Sequence, residues 1–487
     1  MTSDSIDWSK EVKTDPEQEY RALLKSLRRT RNFGLFFVQC SPVEGERLIR
    51  RIRSDLPQKR TEVLTLTATV TNLYDEVDAL PNKDQIEILF IQGLEHSLYD
   101  YEQERLWHEP EQRYSYDESG VPKLLAHLNL SRERFRDHFQ MCFVFLVPLF
   151  ALKYLMRRAP DFFDWRSGVL EFVMDAERLE QQSQRLLLES SYEEYLTWTP
   201  QRRNARIMEI QAVLEEPQQT PNRKSNLLFE QGNLYHASGR YKAAVASYDQ
   251  ALVIKPDFHK AWNNRGMTLS DLGRNEEAIV SYDRALAIKP DKHQAWNNRG
   301  IALFNLGRNE NAIVSCDRAL AIKPDKHEAW NNRGAALSNL GRNEEAIASY
   351  DQALVIKPDF PEAWNNRGRT LNALGRNEEE IASYDQALVI KPDFPEAWDN
   401  RGLALNALGR KEEAIVSYEK EIAINPDDHY AWYNKACCYA GWGKLEESLE
   451  NLQQAIELNP EYRERAKTDA DFDGIRRDAR FQALVGE

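Results

Sequence analysis

Two rhythms of apolar and polar positions divide the chain near residue 226. Between about residues 30 and 172, short apolar runs alternate with stretches of helical periodicity: Phe33 to Val38, Val63 to Leu66, Ile86 to Ile91 and Cys142 to Val147. Runs of that length with helices between them predict a parallel α/β sheet. The most apolar stretch, Met141 to Met156, is interrupted by Pro148 and Lys153. It falls short of the ~20 residues a bilayer crossing needs and predicts a buried strand followed by a helix. Asp175 to Glu216 is charged and helical in pattern, with a break at Pro200. Pro217 and Pro221 then mark residues 215–225 as a linker, because each spoils helix continuation.

From Leu227 onward the rhythm changes. Tryptophans stand at Trp262, Trp296, Trp330, Trp364, Trp398 and Trp432, 34 residues apart. Each unit carries two helical patterns, for example Trp262, Gly266 and Leu269, then Ala278, Tyr282 and Ala285. Gly273 separates the two and Pro290 closes the unit. A glycine and two alanines let helices approach closely, while Trp262 and Tyr282 fill the gaps. This pattern resembles the tetratricopeptide-repeat family. The unit starting at Leu227 keeps Gly232, Gly239, Ala244, Tyr248 and Pro256 but has Leu228 in place of the tryptophan, as terminal repeats often do. Seven repeats over 227–464 are expected, followed by a polar-faced capping helix in 465–487.

The resemblance implies a solenoid whose first helices line a concave groove. One asparagine recurs on those helices, as Asn264, Asn298, Asn332, Asn366, Asn400 and Asn434. A side-chain amide offers both donor and acceptor, so a row of them suits a peptide backbone of any sequence. Adjacent repeats present one amide about every 10 Å, on the order of three residues of extended chain. The same amide also suits a bond to a neighbouring repeat's backbone. Selectivity is expected from groove positions that vary, among them Phe304 and Arg369. Acidic Glu328, Glu362, Glu396 and Asp399 bias part of the groove toward basic ligands. His259, His293, His327 and His429 read as loop residues copied with the repeat, and Cys316 as a core filler where other repeats have tyrosine.

In the first half, ILFIQGLEHS (88–97), MCFVFLVP (141–148) and APDFFDWRSGVLEF (159–172) resemble the nucleotide-binding modules of bacterial STAND and AAA-type P-loop ATPases. The residues that hold phosphate and magnesium depart from that pattern. After the first strand the chain reads QCSPVEGERLI, without a Gly-Lys-Ser/Thr turn. Gln92 stands where the family's first metal-binding aspartate would be, although Glu95 survives nearby. Leu146 and Val147 occupy positions where relatives carry a polar residue and a nucleotide-sensing arginine. The resemblance therefore implies a degenerate module without cofactor, metal or catalytic residues.

Charge supports a protein partner over nucleic acid or membrane. The formal charge is -14, and from Leu227 there are 33 basic against 41 acidic residues, so neither half is a basic arm. Five cysteines without metal-ligand spacing suit a reducing cytosol. The polar, acidic opening residues 1–20 lack the basic start and apolar run of a signal peptide. The fold expected is thus multidomain: a P-loop-NTPase-like α/β domain over 1–172, a helical linker over 173–226, the repeats and the cap. The function expected is non-catalytic: a cytoplasmic adaptor that holds an extended peptide in the groove, with self-association through the first domain. A nucleotide-dependent signalling switch and a solenoid without a dedicated ligand are the alternatives.

Overall fold

The computed structural model describes residues 15–98, 122–189 and 191–486, so the opening residues 1–14 considered for a signal lie outside it. The chain divides into two compact units, Met1–Ala261 and Trp262–Glu487.

The first unit is built on a five-stranded sheet. The four apolar runs become β1 (Gly34–Gln39), β2 (Thr61–Thr65), β3 (Ile88–Gln92) and β4 (Cys142–Val147). A fifth strand, β5 (Gly168–Glu171), is short and only one of its residues is buried, which left no apolar run to mark it. Every pairing is parallel, in the order β2-β3-β4-β1-β5. The central strands are buried on both faces because helices cover both. Leu35, Phe37, Leu89, Ile91, Phe143 and Phe145 point to one side, against the helices Leu73–Asp78, Lys123–His138, Leu149–Arg158 and Pro160–Phe163. Phe36, Val38, Phe90, Val144 and Leu146 point to the other, against Pro16–Arg29 and Pro42–Asp55.

Residues 173–226 are not a loose connector. Three helices, Ala176–Leu188, Tyr192–Thr197 and Pro200–Leu214, share one core with the helix pair Pro221–Ala237 and Tyr241–Ile254. Leu179, Tyr195, Ile207 and Ile210 meet Leu227, Leu228 and Leu234 there. Pro221, read as a breaker, is the first residue of its helix, where a missing N–H costs nothing, and Thr220 caps it. The other end is fastened by Glu215 and Glu216, whose carboxylates accept from the amides of Phe150 and Met174, both at 3.1 Å.

The second unit holds six helix pairs, whose first helices run from His259–Asp271 to His429–Gly441 and second helices from Asn275–Ile288 to Leu445–Leu458. The histidines expected in loops instead open first helices at 259, 293, 327 and 429. The chain turns within each pair through a glycine at positive φ, such as Gly273 at +73°, which satisfies the helix end at little steric cost. The glycine inside each first helix has a different cause. A Cβ on Gly334 would sit 2.6 Å from Tyr350 Cε1, so tyrosine and glycine are required together. Where Cys316 replaces the tyrosine, the same contact at Gly300 relaxes to 3.0 Å.

The single capping helix expected in 465–487 is divided. Helix Tyr462–Thr468 ends at Asp469, a 3-10 turn covers Ala470–Phe472, and a second helix runs Ala479–Val485 behind its own N-cap Asp478. Aspartates that bond back to nearby amides break a longer helix. Phe472, Ile475, Phe481 and Val485 nonetheless cover Tyr433, Leu452 and Ile456 of the last pair.

Candidate functional site

Two concave sites stand out, one in each unit. In the second unit, a cavity of about 560 Å³ is lined by Phe304, Asn331, Asn332, Ser338, Tyr350, Asn366, Arg369 and Thr370, all of them except Tyr350 on first helices. Sequence reasoning named Phe304, Asn332, Asn366 and Arg369, and the fold brings these four together. Arg369 is exposed, with no ion pair or hydrogen bond among the described residues.

The asparagine row is joined across repeats. Asn332 Nδ2 donates to Asn297 Oδ1 (3.0 Å), Asn366 to Asn331 (3.1 Å), Asn400 to Asn365 (3.1 Å) and Asn434 to Asp399 (2.9 Å). Each bond uses one N–H and leaves the carbonyl oxygen of Asn332, Asn366, Asn400 and Asn434 for another donor. Asn264 and Asn298 are half-buried on the preceding first helices. Of the acidic residues, Glu328 is held by Lys326 at 2.8 Å, while Glu362 and Glu396 are exposed in the first turns of their helices.

A second row, which sequence reasoning missed, sets the geometry of the array. Arg333 reaches back to Asp317 Oδ1 of the preceding repeat (2.7 Å) and donates to Ser349 Oγ of its own (2.7 Å). Arg299, Arg367 and Arg401 do the same with Asp283 and Ser315, Asp351 and Ser383, Asp385 and Ser417. Each tryptophan from Trp296 to Trp432 donates Nε1–H to the carbonyl of the proline six residues before it, at 2.9 Å. The recurring Arg-Gly and Ser-Tyr-Asp strings carried this signal.

Two repeats depart from the pattern by burying an acid. Glu380, 2 % exposed, stands where the second helices have Ala244, Ala278, Ala312, Ala346, Ala414 and Ser448, and Asn372 donates to both its oxygens at 3.0 and 3.1 Å. Glu421, 3 % exposed, has no such donor on Oε2. Burial, then the negative charges of Asp399, Asp428 and Glu396, push its pKa up to about 9.

In the first unit, a crevice of about 570 Å³ opens outside the carboxyl ends of β1 to β4, where open α/β sheets bind ligands. The residues present do not fit a nucleotide phosphate. Only Cys40 and Ser41 separate β1 from the helix Pro42–Asp55, and Ser41 Oγ already accepts from the Glu44 amide at 3.3 Å. Pro42 has no N–H to offer, and the buried Glu44 carboxylate places a negative charge in the first turn, beside Arg47 at 3.0 Å. None of the described residues lining the crevice is lysine or arginine. Gln92, at the end of β3, donates to Thr65 Oγ1 at 2.8 Å. Glu95 lines the crevice at 7 % exposure. The amides of Gly93 and Glu95 donate to its carboxylate, yet Oε2 has no partner among the described residues and burial raises the pKa to about 7. A buried acceptor left unmade costs about 1–3 kcal/mol.

Tetratricopeptide-repeat models match residues 232–273, 268–307, 293–326, 315–348, 339–375, 368–409, 395–428 and 429–462, an unbroken series over 232–462. No curated protein matches the chain. Among solved structures, the chain is similar to PilW, described as a type IV pilus biogenesis factor: 26 % identity over 42 % of this chain and 94 % of that one, TM-score 0.39. It is also similar to YrrB, described as a TPR protein with an unusual peptide-binding site: 21 % identity over 37 % and 92 %, TM-score 0.33. A tetratricopeptide repeat protein from Parabacteroides merdae is covered over 99 % of its length and 55 % of this chain, at 18 % identity and TM-score 0.42. No helix among the described residues is long and apolar enough to cross a membrane.

Proposed function

We infer that the tetratricopeptide repeats present over 232–462 hold an extended segment of a protein partner along their first helices. The carrying observation is the cavity over Phe304, Asn332, Asn366 and Arg369, in which an unpaired guanidinium stands beside amides that the inter-repeat bonds orient but do not saturate. Amides fixed before binding lose little rotamer freedom on meeting a peptide, which favours affinity. Arg369 suits a carboxylate on the segment and Phe304 an apolar side chain, while Glu362 and Glu396 favour a basic residue further along.

The first unit then serves as a docking or assembly module, a nucleotide-free relative of the P-loop modules it resembles, in a non-catalytic cytoplasmic adaptor. Its two-residue turn after β1, the capped helix at Pro42 and the lack of lysine or arginine among the described lining residues support this reading. Self-association through this module, and domain limits at 172, 226 and 464, belong to the same proposal.

A photo-crosslinking residue placed at Ser338 is expected to capture a discrete partner in cells, and Arg369→Glu to abolish that capture while leaving the melting profile unchanged. Capture that survives Arg369→Glu refutes the groove. Titration of the full chain with ATP and magnesium is expected to show no saturable binding; saturable binding returns the first unit to the switch class.

A further inference from the structure

The crevice at the strand ends of the first unit has a chemistry of its own, independent of the repeat groove. Its acceptor is held rigidly. Gly93 joins β3 to the following helix at φ +85°, and a Cβ there would lie 2.0 Å from the Leu66 carbonyl oxygen, so no other residue makes this turn without strain. Leu66 N–H donates to the Gln92 carbonyl at 2.9 Å, locking the turn against the end of β2. Glu95 sits two residues on, more than nine-tenths buried, with Oε2 lacking a donor among the described residues.

The walls bias what can supply that donor. Glu46 is exposed at the rim and has no ion pair among the described residues, whereas Glu209 on the facing helix Pro200–Leu214 is engaged by Arg185 (3.2 Å) and Arg206 (3.4 Å). With no lysine or arginine among the described lining residues, the field favours a cation and repels phosphates and carboxylates. Leu66, Leu146 and Met208 offer apolar contact between these polar groups.

We propose that this crevice binds a small aliphatic amine, whose ammonium pairs with the Glu95 carboxylate in the crevice wall and whose methylenes lie on Leu66, Leu146 and Met208. A charged donor on a buried carboxylate makes a stronger bond than a neutral one. The volume leaves room for a second ammonium, balanced by Glu46. The ligand class differs from the nucleotide of the P-loop modules.

Calorimetric titration of the full chain tests it, with 1,4-diaminobutane and n-butylamine as probes, 1-butanol as the uncharged control and N-acetyl-lysine amide as a stand-in for a protein side chain. Saturable binding of the two amines, but not of butanol, is expected. Glu95→Gln keeps the size of the side chain and removes its charge, and should weaken binding about tenfold or more. Thr67→Lys, at an exposed lining position, places a competing cation in the crevice and should do the same even if Glu95→Gln fails to fold. The proposal is overturned by any of three results: no saturable binding in the millimolar range, affinity unchanged in both variants, or binding of the lysine amide alone.

Discussion

Replacing Glu421 with alanine is expected to stabilise the repeat array, and to do so increasingly as pH rises. The corresponding positions of the other repeats, 251, 285, 319, 353, 387 and 455, are all alanine. Glu421 ordinarily titrates near 4.5, and burial with the nearby Asp399, Asp428 and Glu396 raises it to about 9 in the folded chain. Between those values the folded state holds a proton that the unfolded state has released. Stability from this group is therefore fully present below 4.5 and is lost as pH rises through 9. The limiting slope is about 1.4 kcal/mol per pH unit, or roughly 3 kcal/mol between about pH 5 and pH 7. Water entry and relaxation around Glu421 reduce the slope, so the criterion is its sign. Urea unfolding of wild type and Glu421→Ala, followed by circular dichroism across that range, should show a gap that widens with pH. Hydrogen exchange over residues 411–441 should localise the effect, since repeats open semi-independently. A gap that is constant with pH, or a variant less stable throughout, refutes the reasoning.

Gly334→Ala drives a methyl group into the Tyr350 ring and should cost about 1–3 kcal/mol, whereas Gly300→Ala, facing Cys316, should cost clearly less; chemical denaturation of the pair measures the difference. Phe472→Ala opens the fully buried centre of the C-terminal cap and should cost about 3–5 kcal/mol, with hydrogen exchange rising first in the helix Leu445–Leu458. Arg333→Ala removes the half-exposed ion pair with Asp317 and the bond to Ser349, and should lower stability by about 1 kcal/mol, read from the urea midpoint.

The repeat array was legible because a period of 34 residues repeats its core positions six times over. The parallel sheet was legible because its central strands are apolar on both faces. What escaped had specific causes. β5 is an edge strand of four residues with one buried side chain, so it lacks the apolar run that marks β1 to β4. The segment 173–226 reads as charged because its helices bury one face only, and Tyr195, Ile207 and Ile210 are scattered among arginines and glutamates. In the groove, the sequence supplied the asparagine row and the cluster of Phe304, Asn332, Asn366 and Arg369. It did not supply the partners 35 residues earlier, because a bond between repeats leaves the same trace as a conserved surface choice. The crevice at Glu95 was invisible for a related reason: four loops and one later helix build it, and no local motif spans them.

Near-identity of repeats has a cost that the asparagine row makes concrete. A chain segment bonded only to that row would meet the same amide one repeat further along, and nothing would hold it in one register against a shift of a single repeat. Translational symmetry of this kind is broken only where units differ, and here the departures gather: Arg369 and the buried Glu380 in one repeat, then Asp399 and Glu421 in the next. These residues act as an index mark on an otherwise uniform rail. Their removal would leave the array able to grip a chain but unable to say where along it the grip begins.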